Sequence, residues 1–391
     1  MPDCREQARS YANHNESTRM TDEILFRVRN HVGHVTLNRP AALNALSYPM
    51  IVALRDQLRR WADNGDVHAV MLRGAGGKAF CAGGDVRALY DSFKAGTAAH
   101  TQFFADEYVL DYSIHRYPKP CVALMDGIVM GGGMGIAQGA WLRIATDRTR
   151  LAMPEVGIGL FPDVGGSFFL NRAPGALGLY LGVAGVQIRA ADVLYARLGD
   201  TYLHHDHVND LDRLLDSLTW SSDHHTDLTR ALEAAGSGPL QGAPLAHLQI
   251  VIDRHFCRDS VPEIIASLES ESSPEHVGWA KETLNILAKR SPTMMCATFE
   301  QIRRGRTMTL ADCFRMELGM VHQCFRQGDF VEGIRALIVD KDMQPRWSPA
   351  MIEDVTAESV ARFFADCWAK NNHPLGTLGS MDQDRINRGI H

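Results

Sequence analysis

Two carboxylates lie close together in a stretch of the chain that is otherwise apolar and rich in glycine. Glu155 follows Pro154, and Asp163 follows Pro162, within the segment MPEVGIGLFPDVGG. Buried in a cleft, such carboxylates can act as nucleophiles or as general acids and bases. Each also has an ordinary interpretation, because Glu155 could be a charge at a helix N-terminus and Asp163 a turn residue before glycine.

Two glycine-rich turns could supply the complementary groups. Gly131–Gly133 follow an apolar run that reads as a buried strand and precede a segment with helical spacing. Gly83 and Gly84 occupy a similar place after the strand-like run at 67–73. Free N–H groups at a helix start favour negative charge, and two such turns can aim their donors at one point, as an oxyanion hole requires. The sequence therefore predicts an anion-stabilising site with carboxylates nearby.

The same glycines have a second interpretation, since the GxxxG spacing of Gly131, Gly135 and Gly139 also occurs in membrane helices. Residues 121–142 nevertheless include Asp126, Gln138 and several glycines. A membrane span consists mostly of large apolar side chains. We therefore expect a buried element of a globular protein.

Composition places the chain among ordinary globular proteins, with 391 residues, 45% hydrophobic and 22% charged. One large domain or two unequal ones are expected. The net charge of −6 gives no reason to expect nucleic acid or a membrane as partner. The eight cysteines form no CxxC pair, which suits a reducing compartment. Residues 1–19 lack the apolar core of a secretory signal, and Met20 is an alternative start. These features predict a cytoplasmic protein, or a mitochondrial-matrix protein if the source is eukaryotic.

The hydrophobic pattern divides the chain into two structured regions. Strand and helix patterns alternate over 24–200, including a hairpin at 25–37, a helix capped by Ser47 and a helix over 98–115 that carries Glu107, which indicates an α/β fold. Residues 211–368 are mainly amphipathic helix. We predict a flexible tail at 1–21, a core at 22–205, a helical region at 206–372 and a flexible tail at 373–391. The histidines at 204–207 and 224–225 lack a metal-site spacing, so solvated loops are expected there.

Three segments in this order resemble the crotonase, or enoyl-CoA hydratase/isomerase, superfamily. They are KAFCAGGDVRALYD at 78–91, KPCVALMDGIVMGGGMG at 119–135 and MPEVGIGLFPDVGGSFFL at 153–170. Two features narrow the resemblance to the 3-hydroxyisobutyryl-CoA hydrolases. One is the pair of Glu155 and Asp163, and the other is DFVEGIRALIVDKDMQPRWSP at 329–349, which is similar to the C-terminal signature of that group. The resemblance covers roughly residues 23–364.

The resemblance implies a fold, a substrate class and site residues. The fold would be a spiral of ββα turns followed by helices, and the substrate a coenzyme A thioester. Gly84 and Gly132 match the residues whose N–H groups hold the thioester oxygen. Glu155 matches the catalytic glutamate, Asp163 a second acidic residue that binds substrate or water, and Glu107 a carboxylate in the substrate pocket. No metal or bound cofactor is implied, because the coenzyme A belongs to the substrate.

The chain departs from the hydratases of this superfamily at two positions. Hydratases carry a second catalytic glutamate where this chain has Gly135, and a glycine where it has Asp163. Both departures favour hydrolysis, although a hydratase or isomerase, or a non-catalytic acyl-CoA-binding protein, remains an alternative. Three other points stay open: the acyl group, whether Glu155 is nucleophile or general base, and a homo-oligomeric state. Basic residues beside the motifs could meet the coenzyme A phosphates: Arg39, Lys78 and Arg87.

Overall fold

The structure is a computed structural model that describes residues 22–235, 240, 242–369 and 372–380. The predicted tail at 1–21 and the end of the predicted C-terminal tail at 381–391 lie outside the described residues. The strands are β1 Ile24–Arg29, β2 Val32–Leu37, β3 Ala69–Gly74, β4 Ala79–Cys81, β5 Cys121–Met125, β6 Ile128–Met130, β7 Leu142–Ala145, β8 Arg150–Ala152, β9 Ile188–Arg189 and β10 Thr201–Tyr202.

Some α-helices lie between the strands along the chain, and the others follow the last strand. Those that precede β10 are α1 Tyr48–Asp63, α2 Val86–Lys94, α3 Ala99–His115, α4 Gly132–Gly139, α5 Gly166–Phe169, α6 Leu177–Ala184 and α7 Ala190–Tyr195. Those that follow it are α8 Val208–Ser217, α9 His224–Ala235, α10 Pro244–Phe256, α11 Val261–Glu269, α12 Val277–Leu287, α13 Pro292–Gly305, α14 Leu310–Gln327, α15 Asp329–Ile334 and α16 Ala357–Ala361. A short 3-10 helix, Glu155–Ile158, lies between β8 and α5.

Two sheets share the strands of successive chain turns. One sheet has the order β1-β2-β3-β5-β7-β10 and the other the order β4-β6-β8-β9. Neighbouring strands are parallel from β2 to β7 in the first sheet and from β4 to β8 in the second. Each successive pair of strands contributes one strand to each sheet: β3 and β4, then β5 and β6, then β7 and β8. This repetition is the expected spiral of ββα turns, and the helical C-terminal region follows it. The predicted fold class is confirmed.

The inner strands of the larger sheet, such as β3, are buried on both faces. Successive side chains of a strand point to opposite sides, so each face packs in a different core. In β3, Val70 and Leu72 belong to the main core. Ala69 and Met71 instead pack in a second core with Leu211 and Leu215 of α8. The first part of the helical region thus covers one face of the sheet, and the interior of the spiral packs against the other.

Most predicted elements occur, with one helix divided. Ser47 caps α1 by accepting a hydrogen bond from the Met50 N–H, and the helix predicted over 98–115 is α3. The sequence pattern over 175–194 is also helical, but a continuous helix there is wrong. Gly185 adopts a left-handed conformation with φ +62° that ends α6, and β9 then pairs with β8 before α7 begins.

The start of the predicted C-terminal tail is packed. Leu375 and Leu378 are buried, and the Arg315 guanidinium donates hydrogen bonds to both of their carbonyl oxygens. Residues 373–380 are thus packed against α14, and the flexible tail expected at 373–391 stays a prediction. No helix in the described part of the chain combines the length and hydropathy that crossing a membrane takes. The core boundary at 205 stays a prediction.

Candidate active site

Two glycine turns lie side by side because the strands before them are parallel neighbours. β4 and β6 are parallel, with Cys81 opposite Val129, so the segments that follow these two strands leave the sheet at the same edge. Gly83 and Gly131 have φ of +114° and +47°, which favour glycine. A Cβ built at Gly132 would lie 3.4 Å from the Gly84 backbone nitrogen. The two predicted oxyanion donors are therefore neighbours, and Gly132 opens α4, where N–H groups lack intrahelical acceptors.

Glu155 faces the second of these turns. It begins the short helix after Pro154, and a Cβ built at Gly131 would lie 3.1 Å from Glu155 Oε1. The side chain is buried, and its Oε2 has no hydrogen-bond partner among the described residues. Burial raises the pKa of Glu155 well above its usual range, and the nearby charge of Asp163 raises it further. A buried carboxyl group with a raised pKa and one oxygen without a partner among the described residues is thus held beside Gly131.

Asp163 is held by a tyrosine that the sequence analysis did not identify. The Tyr108 hydroxyl donates a hydrogen bond of 2.7 Å to Asp163 Oδ2, and both residues are buried. Burial raises the pKa of Asp163 to about 7, and the hydrogen bond from Tyr108 opposes this rise. Asp163 is therefore a buried carboxyl group with a raised pKa, and Tyr108 donates to one of its oxygens.

Glu107 projects from α3 towards the glycine turns. A Cβ at Gly132 would overlap its Oε1, an oxygen that has no hydrogen-bond partner among the residues described. Burial, and then repulsion by Asp163, raises the pKa of Glu107 well above its usual range. The structure thus brings together all five predicted site residues: Gly84, Glu107, Gly132, Glu155 and Asp163. Their roles stay predictions.

The loop after Asp163 is fixed by the helical region. Glu317 of α14 accepts hydrogen bonds from the Gly165 N–H at 2.8 Å, the Ser167 N–H at 2.9 Å and the Ser167 hydroxyl at 2.6 Å. Gln301 of α13 donates to the Pro162 carbonyl oxygen at 2.6 Å. Glu317 is buried, which raises its pKa to about 8 despite these donors. Both flanks of Asp163 are therefore held by residues far away in sequence.

A further carboxyl group, Asp111, lies one helical turn beyond Glu107 on α3. It is 2% exposed, and burial together with the charges of Glu107, Asp163 and Glu317 raises its pKa well above its usual range. The i, i+4 spacing of Glu107 and Asp111 on one helix face was the available sequence signal. Its relevance depended on knowing that this face is buried.

The three basic residues named for the coenzyme A phosphates differ in how they are engaged. Arg39 is ion-paired with Asp85 at 2.9 Å and with Glu23 at 3.2 Å. Arg87 contacts Asp91 at 3.1 Å on the surface of α2. Lys78 is exposed at the start of β4. Arg39 and Arg87 are thus both paired with carboxylates, and a contact of any of the three with coenzyme A stays a prediction.

Known proteins share this fold and much of this sequence. Residues 32–364 match the family described as "Enoyl-CoA hydratase/isomerase". The mitochondrial 3-hydroxyisobutyryl-CoA hydrolase of Danio rerio is 38% identical over 90% of this chain and 92% of its own length. That of Homo sapiens is 35% identical over 93% of this chain and 91% of its own length. The crystal structure of a carnitinyl-CoA dehydratase from Mycobacterium thermoresistibile is 39% identical with a TM-score of 0.81, covering 88% of this chain and 97% of that one.

These similarities extend over nearly the whole chain. The protein belongs to the enoyl-CoA hydratase/isomerase family, in its group of 3-hydroxyisobutyryl-CoA hydrolases.

Proposed function

We propose that the protein hydrolyses a short 3-hydroxyacyl-CoA thioester, with 3-hydroxyisobutyryl-CoA as the first substrate to test. The observation that carries this proposal is the buried pair of Glu155 and Asp163 beside two converging glycine amides, with glycine at position 135 of α4. The names of the relatives from Danio rerio and Homo sapiens support the same reaction. It would belong to valine breakdown, and their mitochondrial location supports the matrix as the compartment in a eukaryotic source.

In this mechanism, the thioester carbonyl oxygen accepts hydrogen bonds from the Gly84 and Gly132 N–H groups. These donors stabilise the negative charge that develops on the oxygen when the carbonyl carbon is attacked. The attacking group is either the Glu155 carboxylate or a water that Glu155 deprotonates. Overall, hydroxide from water is added to the carbonyl carbon, the carbon–sulfur bond breaks, and the departing thiolate takes a proton.

Asp163 would select the acyl group. Its carboxyl group, which already accepts a hydrogen bond from Tyr108 at Oδ2, would also accept the hydrogen bond of the substrate 3-hydroxyl. A site built around a hydroxyl rejects the analogue that lacks it, because the buried acceptor then stays unpaired. Coenzyme A is part of the substrate, so this chemistry needs no resident cofactor.

A second function, hydration or dehydration of an enoyl-CoA, is favoured by one observation. The Asp111 carboxyl lies against Gly135, the position where hydratases carry their second glutamate, and a Cβ built there would be 2.8 Å from Asp111 Cγ. Asp111 could replace that glutamate from a neighbouring helix. The carnitinyl-CoA dehydratase relative points the same way.

One assay separates the two functions. Purified protein is mixed with 3-hydroxyisobutyryl-CoA and, separately, with crotonyl-CoA, while free thiol and enoyl absorbance are followed. Thiol release from the first substrate only would support the hydrolase. Loss of enoyl absorbance without thiol release would support the hydratase. Silence with both would favour an acyl-CoA-binding protein, which binding of either thioester would then reveal.

Replacing Glu155 with Gln tests the role of this carboxyl group. We expect Glu155→Gln to lower kcat by about 10²–10⁴-fold, the range typical of a lost acid or base, while the melting temperature changes little. The matched control is Glu275→Gln, which makes the same chemical change at a side chain that is 82% exposed. Full activity in a folded Glu155→Gln variant would refute the mechanism.

A further inference from the structure

Helices α3 and α4 lie side by side and run in the same direction. Gly132 of α4 lies beside Glu107 of α3, and Gly135 lies beside Asp111 one turn later. One further turn along, a Cβ built at Gly139 would be 3.0 Å from Ile114 Cγ2. Glycine at each of these turns lets side chains of α3 enter the space along α4. Two carboxyl groups therefore follow one another along α4, starting from the predicted oxyanion site.

The second of these carboxyl groups, Asp111, is buried and lacks the hydrogen bonds that such a group usually has. Neither of its oxygens has a partner among the described residues. An unsatisfied buried polar group costs about 1–3 kcal/mol, so buried polar groups are usually paired with protein or with ordered water. A molecule that enters the protein would therefore supply the hydrogen bonds that Asp111 lacks.

A cavity of about 340 Å³ ends at Asp111. Its inner wall includes Gly135 and Val164, the residue next to Asp163. Its outer wall includes Arg143 and Trp141, a side chain that is 41% exposed. A water occupies about 30 Å³ in the liquid, so the cavity can hold several waters in a row. The exposed Trp141 and the buried Asp111 thus line the same cavity, and Asp111 lies close to the site carboxyl groups Glu107 and Asp163.

We propose that this cavity is a water entrance to the active site and that Asp111 is a positioning residue that orders the arriving water. The inference rests on the proposed hydrolase. Each turnover consumes one water, yet a bound thioester extends back along its own entry path and covers the carbonyl from that side. A second opening supplies water without substrate release. Water passes as an intact molecule, so Asp111 neither gains nor loses a proton.

The inference predicts a distinctive kinetic change in two kinds of variant. Asp111→Leu removes the polar end of the cavity, and Ala140→Leu narrows its wall at a residue that is 8% exposed. Loss of one ordered-water hydrogen bond should lower kcat roughly tenfold, about 1.4 kcal/mol in barrier. KM should change less than about twofold, because the oxyanion turns are untouched. Asp111→Asn, which keeps a polar group, should lose less than Asp111→Leu.

The control is Ala53→Leu, which adds the same atoms at a partly buried position of α1 and should keep wild-type kinetics. Melting temperatures identify any variant that does not fold, and Ala140→Leu carries the test if Asp111→Leu fails. Wild-type kcat in folded Ala140→Leu overturns the inference alone. So does a change only in the accepted acyl-chain length, which would mean that the cavity receives the acyl group. A wild-type protein that does not hydrolyse 3-hydroxyisobutyryl-CoA overturns the proposed function and this inference together.

Discussion

The hydrogen bond between Tyr108 and Asp163 gives the sharpest test of the site electrostatics. In Tyr108→Phe, Asp163 Oδ2 loses its donor at 2.7 Å and nothing else in the ring changes. That donor favours the charged form of Asp163 and holds its pKa near 7 against burial. The variant should therefore raise the pKa of Asp163.

The size of this rise follows from the strength of the bond. A hydrogen bond to a charged group contributes about 1.5–3 kcal/mol, and one pKa unit corresponds to 1.36 kcal/mol. The pKa of Asp163 should thus rise by about 1 to 2, to roughly 8 or 9. If the ionised form is active, activity near pH 7 falls about five- to fiftyfold. If the protonated form is active, the alkaline limit of activity moves upward instead.

The assay is the dependence of kcat/KM on pH for the wild type and Tyr108→Phe. Either active form predicts that the limb reporting Asp163 moves to higher pH, although the limb belongs to the interacting carboxyl groups as a set. Tyr195→Phe is the control, because the Tyr195 hydroxyl donates at 3.1 Å to Gln249 Oε1, away from the site. Superimposable profiles for all three proteins, or a limb that moves to lower pH, would show that the reasoning is wrong.

Two further predictions concern stability. Gly135→Ala should lower the free energy of unfolding by about 1–3 kcal/mol through overpacking, because its Cβ would lie 2.8 Å from Val164 Cβ and overlap Asp111. Urea unfolding should show that the double variant with Asp111→Ala recovers most of this loss. His34 is buried, which with two nearby arginines lowers its pKa to about 4. The unfolded chain then binds more protons between pH 6.5 and 4, so stability present above pH 6.5 falls by up to about 3 kcal/mol as the pH drops. In His34→Gln, urea midpoints at pH 7 and 4.5 should differ less than in the wild type, whereas the exposed His247→Gln should match the wild type.

The sequence predicts the parts of the site that arise from local patterns. Gly84 and Gly132 each follow a strand of one ββα turn, and the pairing of those strands brings the turns together. Glu155 and Asp163 lie in a motif a few residues long. The sequence alone can therefore predict that these residues lie close together, because strand periodicity, glycine positions and the motif resemblance all indicate it.

The parts that the sequence analysis missed depend on contacts between distant segments. Glu317 binds Gly165 across a separation of 152 residues, and no local pattern distinguishes it from the surface acids of other helices. Asp111 matters because Gly135 provides no side chain to fill the same space. Both residues belong to the site only because tertiary packing buries the helix faces that carry them.

The hold of α14 on the loop after Asp163 has a consequence for how this protein can be recombined. Backbone amides of that loop depend on the Glu317 carboxylate, so the spiral core does not carry a complete site by itself. A chimera joined at the predicted boundary of 205 would pair the loop of one parent with the helices of another. Such exchange should succeed only between parents that both supply this acceptor. In a chimera, the loop after Asp163 and α14 should therefore be exchanged together.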